Sequence, residues 1–510
     1  MLRTTTSPKI LLVNPPVAKP SEPPAGIARL AGALRDNGVG CEVLDLNLHC
    51  LLAEFDDEVE SQDKWSRRAG KNRQRNLTSL RSPQLYQSFD RYQRVVSDLG
   101  RVLSLAGRKS GCEITLANYN DLEKTPLRSA DLLASAECFE ANHFYAHFNP
   151  LLKEALETQK PEYVGLSLSY LSQALTGFAI MGFIRRHYPK IKIVAGGGLI
   201  SSWMSSSAWN DPFKALIDCC VSGPGENVLL QLLGKEPRPG LGRFSYAGFA
   251  MADYLSPGAV LPYAASHGCY WQKCQFCPDF AEGSCYLARS APEAVAEISQ
   301  LTGRHNPVLV HLLDNAVSPA LLRELGNSGL SVPWYGFARF EKELEDFSFC
   351  AGLHQSGCVM LKLGLESGSQ QVLDRLNKGV DLKRAARILN NLHRAGIATY
   401  IYLLFGTPAE TESEALLTLD FVRRHRQAIT YINLAIFNMP VCSPEALHLQ
   451  NRFFDGDLSL YCDFDHPEGW DRKKVRTFLH KDFRKDTLIR EIERRSPGVF
   501  GANHAPFLHH

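Results

Sequence analysis

Cys269, Cys274 and Cys277 lie within nine residues, in Gly-Cys-Tyr-Trp-Gln-Lys-Cys-Gln-Phe-Cys-Pro. Three thiols so spaced can converge on one metal centre. A structural zinc site wants four closed ligands, usually as two pairs. No second Cys-x-x-Cys pair completes one here, so a zinc knuckle would take its fourth ligand from Cys285 or His267. Three thiolates otherwise leave one position open. On a [4Fe–4S] cluster an open iron can bind a substrate or cofactor directly, and the cluster then does more than carry electrons.

The elements around this loop alternate between strand-like and helix-like segments. Downstream, strands are expected at Val308–Asp314, Trp334–Arg339, Val359–Ser367, Thr399–Gly406 and Tyr431–Phe437, with a cluster-bearing strand at Tyr263–Ser266. That makes about six strands, a partial barrel. Polar residues close several of them: Asp314, Arg339, Glu366 and Ser367. Carboxyl ends of strands are where β/α barrels place their chemistry. Upstream, Lys9–Pro16, Cys41–Asp45, Tyr163–Ser169 and Ile191–Gly198 read as strands, with helices at Gly26–Asn37 and Ala174–Arg186. Strand and helix alternate there too, which predicts a doubly wound, flavodoxin-like parallel sheet. Ligands bind such sheets at the carboxyl ends of the strands, here Asn14, Ser167, Ser169 and Gly196, Gly197 and Gly198.

At 510 residues the chain exceeds one ordinary domain. The expected division is 1–240 for the first sheet, with a helical insertion at about 56–150, then 255–445 for the barrel. A mostly helical segment, 446–510, would cap the substrate pocket. Lys and Arg total 56 against 54 Asp and Glu, so net charge argues neither for nucleic acid nor for membranes. The start, Met1 to Lys9, has no apolar signal core. The uncharged run Tyr163–Ile184 splits into a strand and a helix, so no membrane span is expected. Fourteen cysteines in so long a chain are not a disulfide framework. A reducing cytoplasm is expected, with Cys41, Cys138, Cys219 and Cys358 as buried small hydrophobes. The stretch Lys64–Ser88 holds seven basic residues and no acid. It reads as a solvated helix face, or alternatively as a patch for an acidic substrate or electron donor.

The cysteine loop resembles that of radical S-adenosylmethionine (SAM) enzymes, whose spacing is C-x3-C-x2-C. Here the first gap is one residue longer, and the extra residue must bulge. Phe276, before the last cysteine, matches the family. Gly364-Leu-Glu-Ser367 matches its GLES-type motif, and Phe405-Gly-Thr-Pro-Ala-Glu-Thr411 resembles its turn after the fifth strand. The resemblance implies a [4Fe–4S] cluster on Cys269, Cys274 and Cys277 whose open iron chelates SAM. It assigns Glu366 and Ser367 to SAM's ribose or amino group, Asp314 to its ammonium and Arg339 to its carboxylate. Structural alternatives stand beside each: Asp314 as an N-cap for the helix at Pro319, Arg339 as a rim ion pair, Glu410-Thr411 as a cap.

Val-Asn-Pro-Pro, Pro-Pro-Ala-Gly-Ile-Ala-Arg-Leu-Ala, Val-Gly-Leu-Ser, Ala-Gly-Gly-Gly and Gly-Pro-Gly-Glu follow in that order over 8–55 and 155–235. The set resembles the cobalamin-binding domain that precedes the barrel in class B radical SAM enzymes. It implies cobalamin against Asn14, Ser167, Ser169 and Gly196–Gly198, with Gly197 facing the cofactor's nucleotide tail. The Asp-x-His-x-x-Gly signature is absent, so no histidine from that motif would lie below cobalt. The implied activity is hydrogen abstraction from an unactivated carbon by a 5′-deoxyadenosyl radical, then methyl transfer from methylcobalamin. The alternatives are radical cyclisation, ring contraction or C–C coupling, and, from another class, a non-catalytic iron–sulfur carrier or sensor. The implied partners are a small-molecule, lipid or peptide substrate and a reductant such as flavodoxin or ferredoxin. No residue is singled out as the catalytic group.

Overall fold

A computed structural model describes residues 9–56, 63–207 and 209–509. The start of the chain, Met1–Pro8, and His510 lie outside the described residues. The chain forms two compact units: Met1–Val260 with Asp455–Leu460, and Leu261–Phe454 with Tyr461–His510.

The first unit is built on five short strands. They are β1 (Ile10–Val13), β2 (Cys41–Leu44), β3 (Tyr163–Ser167), β4 (Lys192–Gly196) and β5 (Cys219–Cys220). Their order is β2-β1-β3-β4-β5, and every neighbouring pair is parallel. This is the flavodoxin-like doubly wound order, with its switch point between β1 and β3. Both faces are covered, which is why Ile10–Val13 is apolar without alternation. Helix α1 (Ala25–Asp36) buries Ile27, Ala28, Ala31 and Leu34 at helical spacing. The insertion is largely helical, with α2 (Lys64–Leu80) and α3 (Phe89–Lys109), but it also holds an antiparallel strand pair, Cys112–Ile114 with Tyr119–Asp121. The uncharged run after Tyr163 divides into β3 and α4 (Leu171–His187). No helix among the described residues is long and apolar enough to cross a membrane.

The second unit is a six-stranded sheet of β6 (Val260–Tyr263), β7 (Leu309–Leu312), β8 (Trp334–Ala338), β9 (Cys358–Glu366), β10 (Ala398–Phe405) and β11 (Tyr431–Ile436). The order follows the chain, β6 to β11, as in a partial barrel. Side chains such as Trp334, Tyr335, Leu361, Leu363 and Phe405 are fully buried in it. The cluster loop does not leave β6 directly, as expected from Tyr263–Ser266. A separate two-residue strand, Ser266–His267, pairs antiparallel with Leu287–Ala288 and closes the loop at its base. The last segment is not all helix. β12 (Met439–Pro440), β13 (Asn451–Phe453) and β14 (Tyr461–Phe464) form an antiparallel sheet, before α5 (Arg472–Phe478) and shorter helical turns.

No disulfide joins cysteines among the described residues. Cys41 and Cys358 are buried as expected, but Cys138 is exposed and Cys219 only half-buried. Cys138 follows the last turn of the helix Ser129–Glu137, where the chain turns to the surface.

Candidate functional site

The cluster loop is clamped at its bulge. Gln272 takes a left-handed φ of +46° and points outward, its amide donating to the Ser284 carbonyl at 2.9 Å. This left-handed residue lies inside the longer first gap of the cysteine spacing. The neighbour, Trp271, turns inward. Its indole N–H donates to the Asn377 carbonyl at 3.0 Å, and the Arg339 guanidinium stacks on its ring at 4.1 Å. Gln275 N–H donates to the Leu376 carbonyl at 3.1 Å. The Leu376-Asn-Lys-Gly379 turn therefore holds the loop from the side. It fits closely, because a Cβ on Gly379 would lie 2.2 Å from the Trp271 ring.

Cationic side chains surround Cys274. Arg339 Nη1 is 4.0 Å from its Sγ, and Lys378 also bears on it electrostatically. Burial pushes the Cys274 thiol up, partly offset by Lys378 and Arg339. Burial also takes Cys277 up to about 11, with Asp279 adding to the rise. A metal bound there would displace those protons, and the cations beside Cys274 favour the thiolate that results. Among the described residues, no three His, Cys, Asp or Glu side chains converge tightly enough to hold a single ion. A cube of iron and sulfide, ligated at separate corners, asks for a wider triangle than one zinc with bonds of about 2.3 Å to each sulfur. Cys285 is exposed. Of the three thiols, Cys274 lies against Arg339 and Lys378, a setting that favours the thiolate an iron ligand needs.

Glu366 sits at a β-bulge at the end of β9, with φ at +64°. Bulges of this kind re-aim a side chain. Its carboxylate pairs with Lys378 Nζ at 2.8 Å, and both groups are buried. Gly364 leaves room for that pair: a Cβ there would lie 2.5 Å from Glu366 Oε1 and 2.7 Å from Lys378 Nζ. The structure thus brings Glu366, Lys378, Arg339 and Cys274 together. It does not bring Ser367 to them. Ser367 is fully buried, its hydroxyl accepting from Ser369 N–H at 3.1 Å and meeting Thr418 Oγ1 at 3.3 Å, so it braces the turn behind Glu366.

Asp314 lies two residues past β7 and is buried. It accepts from Ala265 N–H at 3.1 Å and from Ser266 Oγ, at the base of the cluster hairpin. It is not the N-cap of the helix at Pro319; Ser318 is, accepting from Leu321 N–H at 3.2 Å. Phe276 packs on the apolar cluster of Phe437, Met439 and Cys462, with Lys378 Nζ 5.4 Å from its ring centroid. Glu410 is fully buried; its Oε2 accepts from Gly406 N–H at 2.6 Å and Trp470 Nε1 at 3.0 Å. Thr411 caps the following helix in a reciprocal box with Glu414.

Two groups escaped the sequence reading. One is the Leu376–Gly379 turn. The other is a buried pair on the barrel strands, Lys362 Nζ 3.0 Å from His311 Nε2, with His311 stacked on Tyr335 at 4.2 Å. The available signal was a lysine inside Val-Met-Leu-Lys-Leu-Gly-Leu and a histidine inside Val-Leu-Val-His-Leu-Leu. Polar groups in otherwise apolar strands need a buried partner.

In the first unit the expected ligand-facing residues divide. Ser167 is half-exposed at the end of β3, and Ser169 and Gly198 are exposed beyond β3 and β4. A Cβ on Gly198 would meet nothing nearer than 3.9 Å, the Ser169 carbonyl, so this rim is open. Gly196 is half-exposed, 3.6 Å from Val221 by the same measure. Gly197 does not face open space. With φ at +103°, its Cβ would lie 2.4 Å from the Leu168 carbonyl, so it serves the packing of the β3 and β4 ends against each other. Asn14 is also turned inward. It donates to Asp45 Oδ1 at 2.8 Å and accepts from Gln173 Nε2 at 3.1 Å, in a buried network that Tyr254 completes.

No family model matches the chain. Over 236 residues, 42% of this chain, it is 23% identical to an uncharacterized methyltransferase of Pyrococcus horikoshii, and it spans about half of that protein's length, 50%. Over 109 residues, 20% of this chain and 23% of the relative, it is 28% identical to bacteriochlorophyllide d C-12(1)-methyltransferase of Chlorobaculum tepidum. Its structure is similar to that of TsrM from Kitasatospora setae, a radical SAM methyltransferase solved with cobalamin and a [4Fe–4S] cluster bound. The match covers 88% of this chain and 82% of that one, at a TM-score of 0.55 and 17% identity. The chain shares the fold of that protein, a doubly wound parallel sheet with a six-stranded partial barrel. In that fold the clamped cysteine loop and the bulged end of β9 lie in one unit, and the open rim of β3 and β4 in the other.

Proposed function

We propose that the chain is a cobalamin-dependent radical SAM methyltransferase acting on an unactivated carbon. The observation that carries this is the meeting of Cys274, in a clamped loop of three cysteines, with Arg339 just past β8 and with the Lys378–Glu366 pair. When bound, a [4Fe–4S] cluster supplies the electron that cleaves SAM, and methylcobalamin the methyl group. Cys269, Cys274 and Cys277 would hold the cluster, with Arg339 and Lys378 offsetting the negative charge of the thiolates. Glu366 would accept from SAM's polar groups, and Asp314 would hold the hairpin in register with β7. Trp271 and Phe276 flank the loop, the first stacked on Arg339 and the second packed on the Phe437 cluster. In the first unit, Ser167, Ser169 and Gly198 would accept cobalamin at the open rim, while Asn14 and Gly197 keep that rim in shape. The relatives named as methyltransferases support methyl transfer over rearrangement.

Anaerobic reconstitution with iron, sulfide and hydroxocobalamin tests the reading. The protein should bind about four irons, retain cobalamin, and form 5′-deoxyadenosine from SAM under reducing conditions. Cys285→Ala should keep the iron, and Gly198→Trp should lose cobalamin alone. Absence of 5′-deoxyadenosine from a fully iron-loaded protein would overturn the proposal.

A further inference from the structure

The second unit contains a cleft of about 780 Å³ beside the helical segment that begins with α5. Lys473, Arg476, His480 and Lys481 line it from one side of that segment, at offsets of three, seven and eight residues from Lys473, across α5 and the π-helical turn Leu479–Phe483 that follows. The opposite side, Val475, Phe478, Leu479 and Phe483, is buried. Acids also border the cleft, but each has a partner. Asp463 and Asp465 face Arg452 at 3.7 and 3.1 Å, and Asp471 caps α5 through Lys474 N–H at 2.8 Å. Lys473, Arg476, His480 and Lys481 have no partner for their side chains among the described residues. Five Lys and Arg side chains against three Asp leave the lining with an excess of two positive charges even with its histidines neutral.

Its position ties this charge to the reacting end of the barrel. Asp463, Phe464, His466 and Arg472 also border a smaller cavity against Gly406 and Phe437, just past the carboxyl ends of β10 and β11. Phe437 belongs to the apolar cluster against which both Phe464 and Phe276, next to Cys277, are packed. His466 Nδ1 accepts from Trp470 N–H at 3.3 Å, while Nε2 lies 2.8 Å from the Thr407 carbonyl. The second contact requires a proton on Nε2 and leaves Nδ1 as acceptor, so this wall is held in one tautomer.

We propose that this cleft binds the acidic part of the substrate, a ligand carrying at least two carboxylate or phosphate groups spread along the Lys473–Lys481 segment. Arg476 offers the planar fork that grips such a group with two parallel hydrogen bonds, and the lysines add point charges on either side. Only the word substrate rests on the radical SAM reading; anion binding by the cleft does not.

The test is equilibrium binding of two probes to the reconstituted holoprotein: inorganic pyrophosphate, and adipate as an extended dicarboxylate. At least one should bind in a manner that weakens steeply with added salt. The double variant Lys473→Gln/Arg476→Gln should weaken that probe by about tenfold or more, while Lys485→Gln, outside the cleft lining, should not. Preference for pyrophosphate identifies a phosphate-bearing ligand, and preference for adipate a carboxylate-bearing one. SAM affinity and iron content should be unchanged in the double variant. Probe binding by a wild type that does not cleave SAM, lost in the double variant, would uphold the cleft and sink the radical reading. Equal probe binding by wild type and double variant, or no binding of either probe to wild type, would overturn the cleft.

Discussion

Glu366 combines three features that seldom coincide in an ordinary strand residue: a positive φ, a burial of all but 9% of its surface, and an ion pair with an equally buried lysine. A charge-assisted hydrogen bond from such a carboxylate is worth about 1.5–3 kcal/mol, roughly 10–150-fold in affinity. Glu366→Gln keeps the shape and removes the charge. SAM binding, followed by equilibrium dialysis, should weaken within that range while the iron content stays at the wild-type level. Undiminished affinity would mean that the carboxylate serves Lys378 alone. Ser367 offers the contrast. Its neighbour position in the motif is the same, but its hydroxyl is committed to Ser369 and Thr418. Ser367 is thus a brace, a distinction that no local spacing reveals.

At the scale of elements, the Leu376–Gly379 turn and the cluster loop form one assembly. Gly379 has φ at +68°, and the Trp271 ring occupies the place of its missing side chain. Gly379→Ala adds about 1–2 kcal/mol of left-handed strain and must also displace Trp271, which anchors the bulge through Asn377 and Arg339. The expected outcome is incomplete iron loading on reconstitution with an unchanged far-ultraviolet circular dichroism spectrum. Full loading would show that the clamp is dispensable. Strands, helices and their order were legible in the chain, because apolar periodicity and terminal glycines and prolines are local signals. The Ser266–His267 bridge and the strands of the last segment were not. They are two to four residues long, too short to establish a period, and exist only because a distant partner pairs with them.

At the scale of the whole molecule, Glu410 joins the end of β10 to the last segment through Gly406 and Trp470. Burial pushes its carboxyl up to about 7, only partly offset by those two hydrogen bonds. The unfolded chain ionises near the ordinary glutamate value of 4.5, so between 4.5 and about 7 the folded chain holds the extra proton. Stability from this group is present in full below the lower value and is lost as pH rises through the upper one. The thermal midpoint of the wild type should therefore fall relative to that of Glu410→Gln across this window, as read by calorimetry. Parallel pH dependence in the two proteins would refute the assignment. The sequence by itself determined a three-thiol loop, a doubly wound sheet followed by a partial barrel, and polar residues at the strand ends, since each is written in nearest-neighbour spacing. Only the tertiary structure decided that Gln272 takes a left-handed φ, that Lys378 pairs with Glu366, that Asn14 and Gly197 turn away from the open rim, and that residues 455–460 belong to the first unit. Those outcomes depend on the direction of a Cα–Cβ bond or on a contact between residues far apart in the chain, and neither leaves a periodic trace in the sequence.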